Sequence, residues 1–236
     1  MELYSLIPLP DDAAATFLRL VSTGGVSADG NTPGDLATRF WFARIAQNPR
    51  PRPNDLTFAF ASWLSLTQPV FAHQGLSLSS WEARVDRGSG MLLRPPSRMF
   101  IDAGLDPADA RKMPIRIEGG DGMMGGAFVP ARLVGQYLER LDNNLERSVR
   151  RLDEAELDGP ALMGLMIEAA RYAEQHGTGV YEAADLLDPA DSATWPPGVR
   201  VVTHTKDKAL QERIRAATQP QKDPGVLARL FGRKRS

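Results

Sequence analysis

The sequence predicts an α+β domain, in which a hairpin-built antiparallel or mixed sheet packs with about six helices. Strand-like runs meet at glycine-bearing turns near residues 86–90 and 121–122, a pattern typical of β-hairpins. Strands and helices do not alternate regularly along the chain, whereas a parallel sheet with crossover helices needs that alternation. The chain has 236 residues, enough for one large core, so we expect one globular domain over residues 1–217.

The first fifty residues predict one strand and two helices. Residues 2–9 form a short apolar run typical of a strand, and apolar side chains at helical spacing predict helices over 11–22 and 33–47. Three prolines then alternate with arginines and exclude a helix. Residues 49–54 should therefore form an extended connection, and they are a candidate hinge.

The middle of the chain predicts a helix, a hairpin and a short helix. Residues 55–68 alternate like a strand, but residues that can cap a helix precede them and a proline follows, so we favour a helix. Residues 76–85 and 91–94 flank a loop with two glycines and predict a hairpin. Asp106 followed by Pro107 predicts the start of a short helix, because aspartate caps and proline fits the first turn.

Two long helices are the clearest elements of the pattern. Residues 130–152 carry one apolar stripe and an opposite charged face, so this helix should cover the core with the stripe. Residues 160–176 are apolar around most of the circumference, which predicts a central helix. Shorter patterns predict strands near 179–181 and 199–203, then a helix over 207–218. The stripe of the first long helix consists of Val134, Tyr137, Leu138, Leu141, Leu145, Val149 and Leu152.

Residues 120–125 spell Gly-x-Gly-x-x-Gly, which is the spacing of a dinucleotide-binding loop. That loop requires a helix to open at its last glycine, so that the helix N-terminus faces a pyrophosphate. Here residues 127–129 are β-prone, and Pro130 fits the first position of the following helix. We therefore expect that these glycines bind no dinucleotide, and we expect no cofactor.

The same segment is better interpreted as a hairpin. Residues 114–118 and 123–129 would be its arms, with Asp121 and Gly122 at the turn. Glycines 125 and 126 are unusual inside a strand, and they indicate a β-bulge or the close approach of another group.

Composition excludes several classes of protein. The chain contains no cysteine, which excludes disulfides, thiolate metal sites and cysteine nucleophiles. A net charge of −1 argues against recognition of nucleic acid by the whole surface. Neither a signal peptide nor a membrane-spanning run is evident, so we expect a cytoplasmic protein. Only five of the 28 basic residues are lysine, which we interpret as the codon bias of a GC-rich bacterium.

The sequence contains no arrangement typical of catalysis or metal binding. The three histidines lack the spacing of zinc ligands on one helix, and no serine lies in a nucleophile elbow. We therefore assign no catalytic, cofactor-binding or metal-binding residue. Arg116, Glu118 and Asp121 form a candidate ligand site, because charged side chains beside a glycine-rich turn can meet a substrate closely.

Residues 218–236 differ from the rest of the chain. They contain five basic residues and one aspartate, a net charge of +4, and they begin with a polar, proline-containing linker at residues 218–222. We expect a flexible basic tail whose apolar side can dock on a partner or an anionic surface. The candidate contact residues are Leu227, Leu230, Phe231, Arg233, Lys234 and Arg235.

These observations favour a non-enzymatic bacterial cytosolic protein-interaction module, of the adaptor or immunity-protein kind, with a protein partner. One alternative is a small-molecule enzyme that uses carboxylates near the glycine-rich hairpin at residues 118–126. A second alternative is contact with a membrane or nucleic acid through the basic tail.

Overall fold

The computed structural model describes residues 3–23, 40, 43–45, 47, 52–117 and 122–218. The predicted α+β fold is confirmed: a five-stranded mixed sheet is packed with helices. The strands are β1 (Leu3–Leu9), β2 (Val70–Gln74), β3 (Met124–Val129), β4 (Gly179–Ala184) and β5 (Val201–Val202). Their order across the sheet is β3-β4-β1-β2-β5.

Strand β1 lies at the centre of the sheet and pairs antiparallel with both β2 and β4. Strand β3 is antiparallel to β4, and the short β5 is parallel to β2. Because β1 and β3 both run opposite to β4, they are parallel to each other, and their C-terminal ends lie at the same edge of the sheet. This edge carries the cleft described below.

Nine α-helices have both ends within the described residues, more than the six predicted. They are α1 (Ala13–Ser22), α2 (Pro53–Thr67), α3 (Leu78–Arg84), α4 (Pro96–Asp102), α5 (Pro107–Ala110), α6 (Ala131–Asn143), α7 (Leu145–Glu154), α8 (Gly159–Gln175) and α9 (Lys208–Thr218). Two short 3₁₀ helices occupy Arg87–Met91 and Ser192–Thr194. None of the described helices is long and apolar enough to cross a bilayer.

Both faces of the sheet are buried under helices. Side chains alternate along each strand, so Leu6 packs into one core and Ile7 into the other. The first core contains the apolar stripes of α6 and α7 together with α8, α9 and Trp81. The second core contains α1, α2 and Phe100, where the rings of Phe17 and Phe60 meet edge to face.

The predicted hairpin around residue 121 is wrong. Residues 114–117 form no strand, and β3 pairs with β4, which follows α8 in sequence. On its other side β3 makes an isolated antiparallel bridge from Phe128 to Arg94. Local turn chemistry suggested a nearby partner for this strand, but its partners are distant in the chain.

The hairpin predicted over residues 76–94 is also wrong, because local caps favour helices there. The Ser77 hydroxyl accepts a hydrogen bond from the Ser80 amide, which starts α3, and Asp86 caps the following 3₁₀ helix in the same way through Gly88. Strand β2 and helix α4 were not predicted.

The helices predicted over 55–68, 160–176 and 207–218 are confirmed with small shifts of their ends. The single helix predicted over 130–152 is two helices, because the backbone leaves helical geometry at Asn144. Its stripe nevertheless stays in register with the core, and six of its seven members are buried while Leu138 is half-buried.

Three predictions lie wholly or mostly outside the described residues. They are the helix over 33–47, the hinge at 49–54 and the basic tail beyond 218. The single domain over residues 1–217 stays a prediction.

Candidate functional site

The residues predicted to bind a ligand are not brought together among the described residues. Arg116 is exposed in the irregular segment before β3, while Glu118 and Asp121 lie outside the described part of the chain. The six candidate contact residues of the tail also lie outside it.

The glycine motif does not have the geometry of a dinucleotide site at its last glycine. Gly125 lies within β3, and the next helix, α6, begins at Ala131. The bulge predicted there is present, since Gly125 pairs with Ala183 and Phe128 with Tyr181. Two residues of β3 between these pairs, Gly126 and Ala127, therefore oppose the single residue Glu182.

Gly125 is required because a side chain has no room at this position. A Cβ atom would lie 1.7 Å from the Tyr181 hydroxyl and 3.0 Å from the Thr57 Cβ. The Gly125 amide donates to the Thr57 hydroxyl at 3.1 Å, and the Tyr181 hydroxyl donates to the Thr57 carbonyl at 3.3 Å. These contacts join β3, β4 and α2, so this glycine has a structural role.

Gly125→Ala is expected to destabilise the fold by about 2–3 kcal/mol, because overpacking forces buried groups apart. Tyr181→Phe removes the nearest atom, so the double variant should be more stable than the sum of the two single changes predicts. Urea unfolding of the four proteins gives the coupling energy. Strict additivity would show that Tyr181 does not restrict this position.

A buried carboxyl group lies opposite the bulge. Glu182 is fully buried, and its Oε1 accepts a hydrogen bond from the Leu78 amide at 2.5 Å, at the start of α3. Its Oε2 has no hydrogen-bond partner among the described residues. Burial raises the pKa of Glu182 to about 8, only partly offset by the Leu78 hydrogen bond. The group is therefore mostly protonated at neutral pH.

Further polar groups are buried within the first core. The Tyr137 hydroxyl and the Trp81 indole nitrogen are buried without a hydrogen-bond partner in the described structure. Burial raises the pKa of Tyr137, and the negative charges of Glu182 and Asp86 raise it further. Asp86 forms an ion pair with Arg140 of α6. Because Glu182 has no exposed surface, a ligand cannot reach it in the present conformation.

A second buried titratable group is His73, on β2. Burial lowers the pKa of His73 to about 4, so its imidazole is neutral at pH 7. His73 borders a shallow cavity of about 270 Å³ beside the first turn of α8, but Asp158 already caps that helix by accepting from the Ala161 amide. No group of three potential metal ligands occurs among the described residues.

An open cleft of about 250 Å³ lies at the sheet edge where β1 and β3 end. We call it the arginine cleft. Its floor is apolar, and its walls come from α4 and from the first turns of α1 and α6. Its lining consists of Leu9, Pro10, Asp11, Ala14, Ala15, Arg94, Arg98, Met99, Asp102, Ala103, Phe128, Pro130, Ala131 and Arg132.

Three arginines belong to the lining of this cleft. Arg94 is fixed in place, because its Nη1 donates to the carbonyls of Met91 and Leu93, both at 2.7 Å. Arg98 and Arg132 are exposed, and neither forms an ion pair within the described part of the chain. With the two aspartates of the lining, the cleft carries three positive and two negative charges, a net charge of +1.

Backbone groups add to the positive potential of the arginine cleft. The first-turn amides of a helix have no acceptor within the helix, and both α1 and α6 begin without a side-chain cap. Ala14 and Ala15 of α1, and Ala131 and Arg132 of α6, belong to these turns and line the cleft. Helix N-termini favour a bound anion, so amides and guanidinium groups act in the same direction.

No local sequence pattern predicts this cleft. Its arginines lie at positions 94, 98 and 132, and no spacing links them to Leu9 or to each other. They meet because Arg94 bridges to Phe128 of β3 and Arg132 lies in the helix that follows this strand, a pairing that was not predicted.

No known protein family matches this chain, and no curated protein or solved structure is significantly similar to it. Its function therefore has to be argued from the geometry of the cleft.

Proposed function

We propose that this protein is a non-enzymatic, cytoplasmic bacterial interaction module that holds an anionic group of a protein partner in the arginine cleft. The observation that supports this proposal is the convergence of Arg94, Arg98 and Arg132 on one cleft with an apolar floor. Guanidinium groups form strong, charge-assisted hydrogen bonds with carboxylates and phosphates. A partner that supplies such a group gains both affinity and a fixed orientation.

The residue types of the cleft favour binding over chemistry. Its lining contains no serine, histidine, lysine or tyrosine that could act as a nucleophile or as a base near neutral pH. Asp11 and Asp102 are exposed, and exposed carboxylates are ordinarily solvated ions. The cleft therefore combines groups that hold an anion with none that is positioned to transform it.

The other two functions stay predictions. An enzyme acting through Glu118 and Asp121 would use residues outside the described part of the chain, and so would surface binding through the tail. Neither is supported by a contact within the described residues.

Site-specific crosslinking tests the proposal. Because the chain has no cysteine, Ala15→Cys places a single thiol at the cleft, where a benzophenone maleimide can be attached. Photolysis of the labelled protein in the cell that produces it should capture one predominant partner protein. Adding Arg98→Glu and Arg132→Glu to the same protein should abolish this capture, because two attractive charges become repulsive.

Ala155→Cys is the matched control, since this exposed residue follows α7 and does not line the cleft. Capture of the same partner from position 155, or capture that survives both charge reversals, contradicts the proposal. A small metabolite retained by the purified protein and converted by it would favour the enzyme instead.

A further inference from the structure

We infer that the arginine cleft recognises a single phosphate monoester on a polypeptide, flanked by basic residues of that polypeptide. This inference deepens the proposed function and rests on it, because it names the group that the partner presents. It is carried by three features of the cleft: the number of its donors, its size and the two carboxylates beside its arginines.

The cleft has more hydrogen-bond donors than the two oxygens of one carboxylate can accept. Three arginines and first-turn residues of two helices without a side-chain cap line the cleft, and two of these arginines, Arg98 and Arg132, are exposed. A carboxylate offers two oxygens and one charge, whereas a phosphate monoester offers three terminal oxygens and a charge of about −1.5 to −2 at pH 7. The phosphate therefore matches the donors more fully.

The volume sets the size of the recognised group. A phosphate and the short carbon arm that carries it are small enough for a cleft of about 250 Å³. Leu9, Met99 and Phe128 provide an apolar surface for the arm.

The two aspartates select against surfaces that carry many phosphates. Asp11 and Asp102 lie in the same lining as the arginines, so a second anion beside the first would be repelled. Nucleic acids and anionic membranes present closely spaced phosphates, and the chain as a whole has a net charge of −1. A single phosphate flanked by lysine or arginine side chains complements both charges of the cleft. The phosphate pairs with the arginines, and the basic side chains of the partner pair with the aspartates.

Fluorescence anisotropy with a labelled phosphoserine peptide, flanked by two lysines on each side, tests the inference. We expect this peptide to bind at least about tenfold more tightly than its unphosphorylated form. Arg98→Gln and Arg132→Gln should each weaken binding by about tenfold, the effect of losing one charge-assisted hydrogen bond. Both side chains are exposed, so the variants should melt like the wild type.

Arg150→Gln is the control, because Arg150 is exposed on α7, away from the cleft, and its loss should leave binding unchanged. Equal affinity for the two peptides, or arginine variants that bind as well as the wild type, overturns the inference. Stronger binding to phosphatidylserine vesicles than to the phosphopeptide also overturns the inference. Inorganic phosphate that competes with the peptide at equal concentration does the same.

The two proposals fail separately. If the label at position 15 captures a partner but the phosphopeptide does not bind, the interaction module stands and the phosphate is wrong. If the phosphopeptide binds through the arginines but no protein is captured from the cell, the proposed function is wrong.

Discussion

Glu182→Gln is expected to stabilise the protein at pH 8, on the order of 4 kcal/mol, and to remove a fall in stability between pH 6.5 and 8. The cause is the pKa of Glu182, which burial raises from 4.5 to about 8, a difference worth roughly 1.4 kcal/mol per pH unit. Glutamine is neutral at every pH and keeps an acceptor for the Leu78 amide. It therefore removes the cost of a buried charge and preserves the cap on α3.

The direction of the pH dependence follows from proton binding. Between about 4.5 and 8 the folded protein retains the Glu182 proton while the unfolded chain releases it, so stability is full below 4.5 and falls as pH rises to about 8. His73 acts in the opposite direction, because burial lowers its pKa from 6.5 to about 4 and stability is lost as pH falls through that range. Because His73 changes the stability only below about pH 6.5, the interval from pH 6.5 to 8 reports the effect of Glu182.

Urea unfolding at half-unit steps from pH 5 to 9 measures the effect. The wild type should lose about 2 kcal/mol from pH 6.5 to 8, and Glu182→Gln should be flat there. Glu154→Gln is the control, since Glu154 is exposed at the end of α7 and should keep the wild-type slope. A variant that retains the slope would show that another group binds the proton.

Leu141→Ala and Leu165→Ala are each expected to lower the free energy of unfolding by about 2–5 kcal/mol, the range for buried leucines that leave cavities. Leu141 of α6 is 3% exposed and Leu165 of α8 is 1% exposed, and both belong to the core between these helices and the sheet. A rigid core cannot close around the lost methyl groups, so cavity and transfer costs add.

Denaturant unfolding with an unchanged m-value measures this loss. Leu138→Ala is an informative comparison, because Leu138 lies on the same helix as Leu141 but is only partly buried, and its loss should cost less. Changes below about 0.5 kcal/mol for Leu141→Ala and Leu165→Ala, the level of ordinary surface substitutions, would show that these leucines do not form the core.

The sequence predicted those elements whose signal is local. The stripe from Val134 to Leu152 and the apolar run of α8 identify their helices, because a helix requires only neighbours three and four residues apart. Both hairpin predictions failed because the pairing of strands depends on residues that are far apart in the chain. Glycine-rich turns at 88–90 and 119–122 matched hairpin chemistry, but strand partners were decided by burial across the whole chain.

The arginine cleft and the buried carboxyl group had no such local signal. In the sequence, nothing distinguishes Glu182 from the other residues of its strand. In the structure, its buried carboxyl group lies opposite the bulge at Gly126 and accepts a hydrogen bond from the start of α3. The predicted bulge was right, yet its reason was not apparent in the sequence. Long-range pairing creates both sites, and periodicity does not encode it.

The position of β1 has a consequence for how the chain folds during synthesis. Its residues pair with β4 at separations from 170 positions, between Leu9 and Gly179, to 180 positions, between Tyr4 and Ala184. The central strand is therefore synthesised about 170 residues before one of its two neighbours, and long-range pairing of this kind makes folding slow. Until then the apolar faces of β1 remain open, so a chaperone that shields the nascent chain should improve its yield.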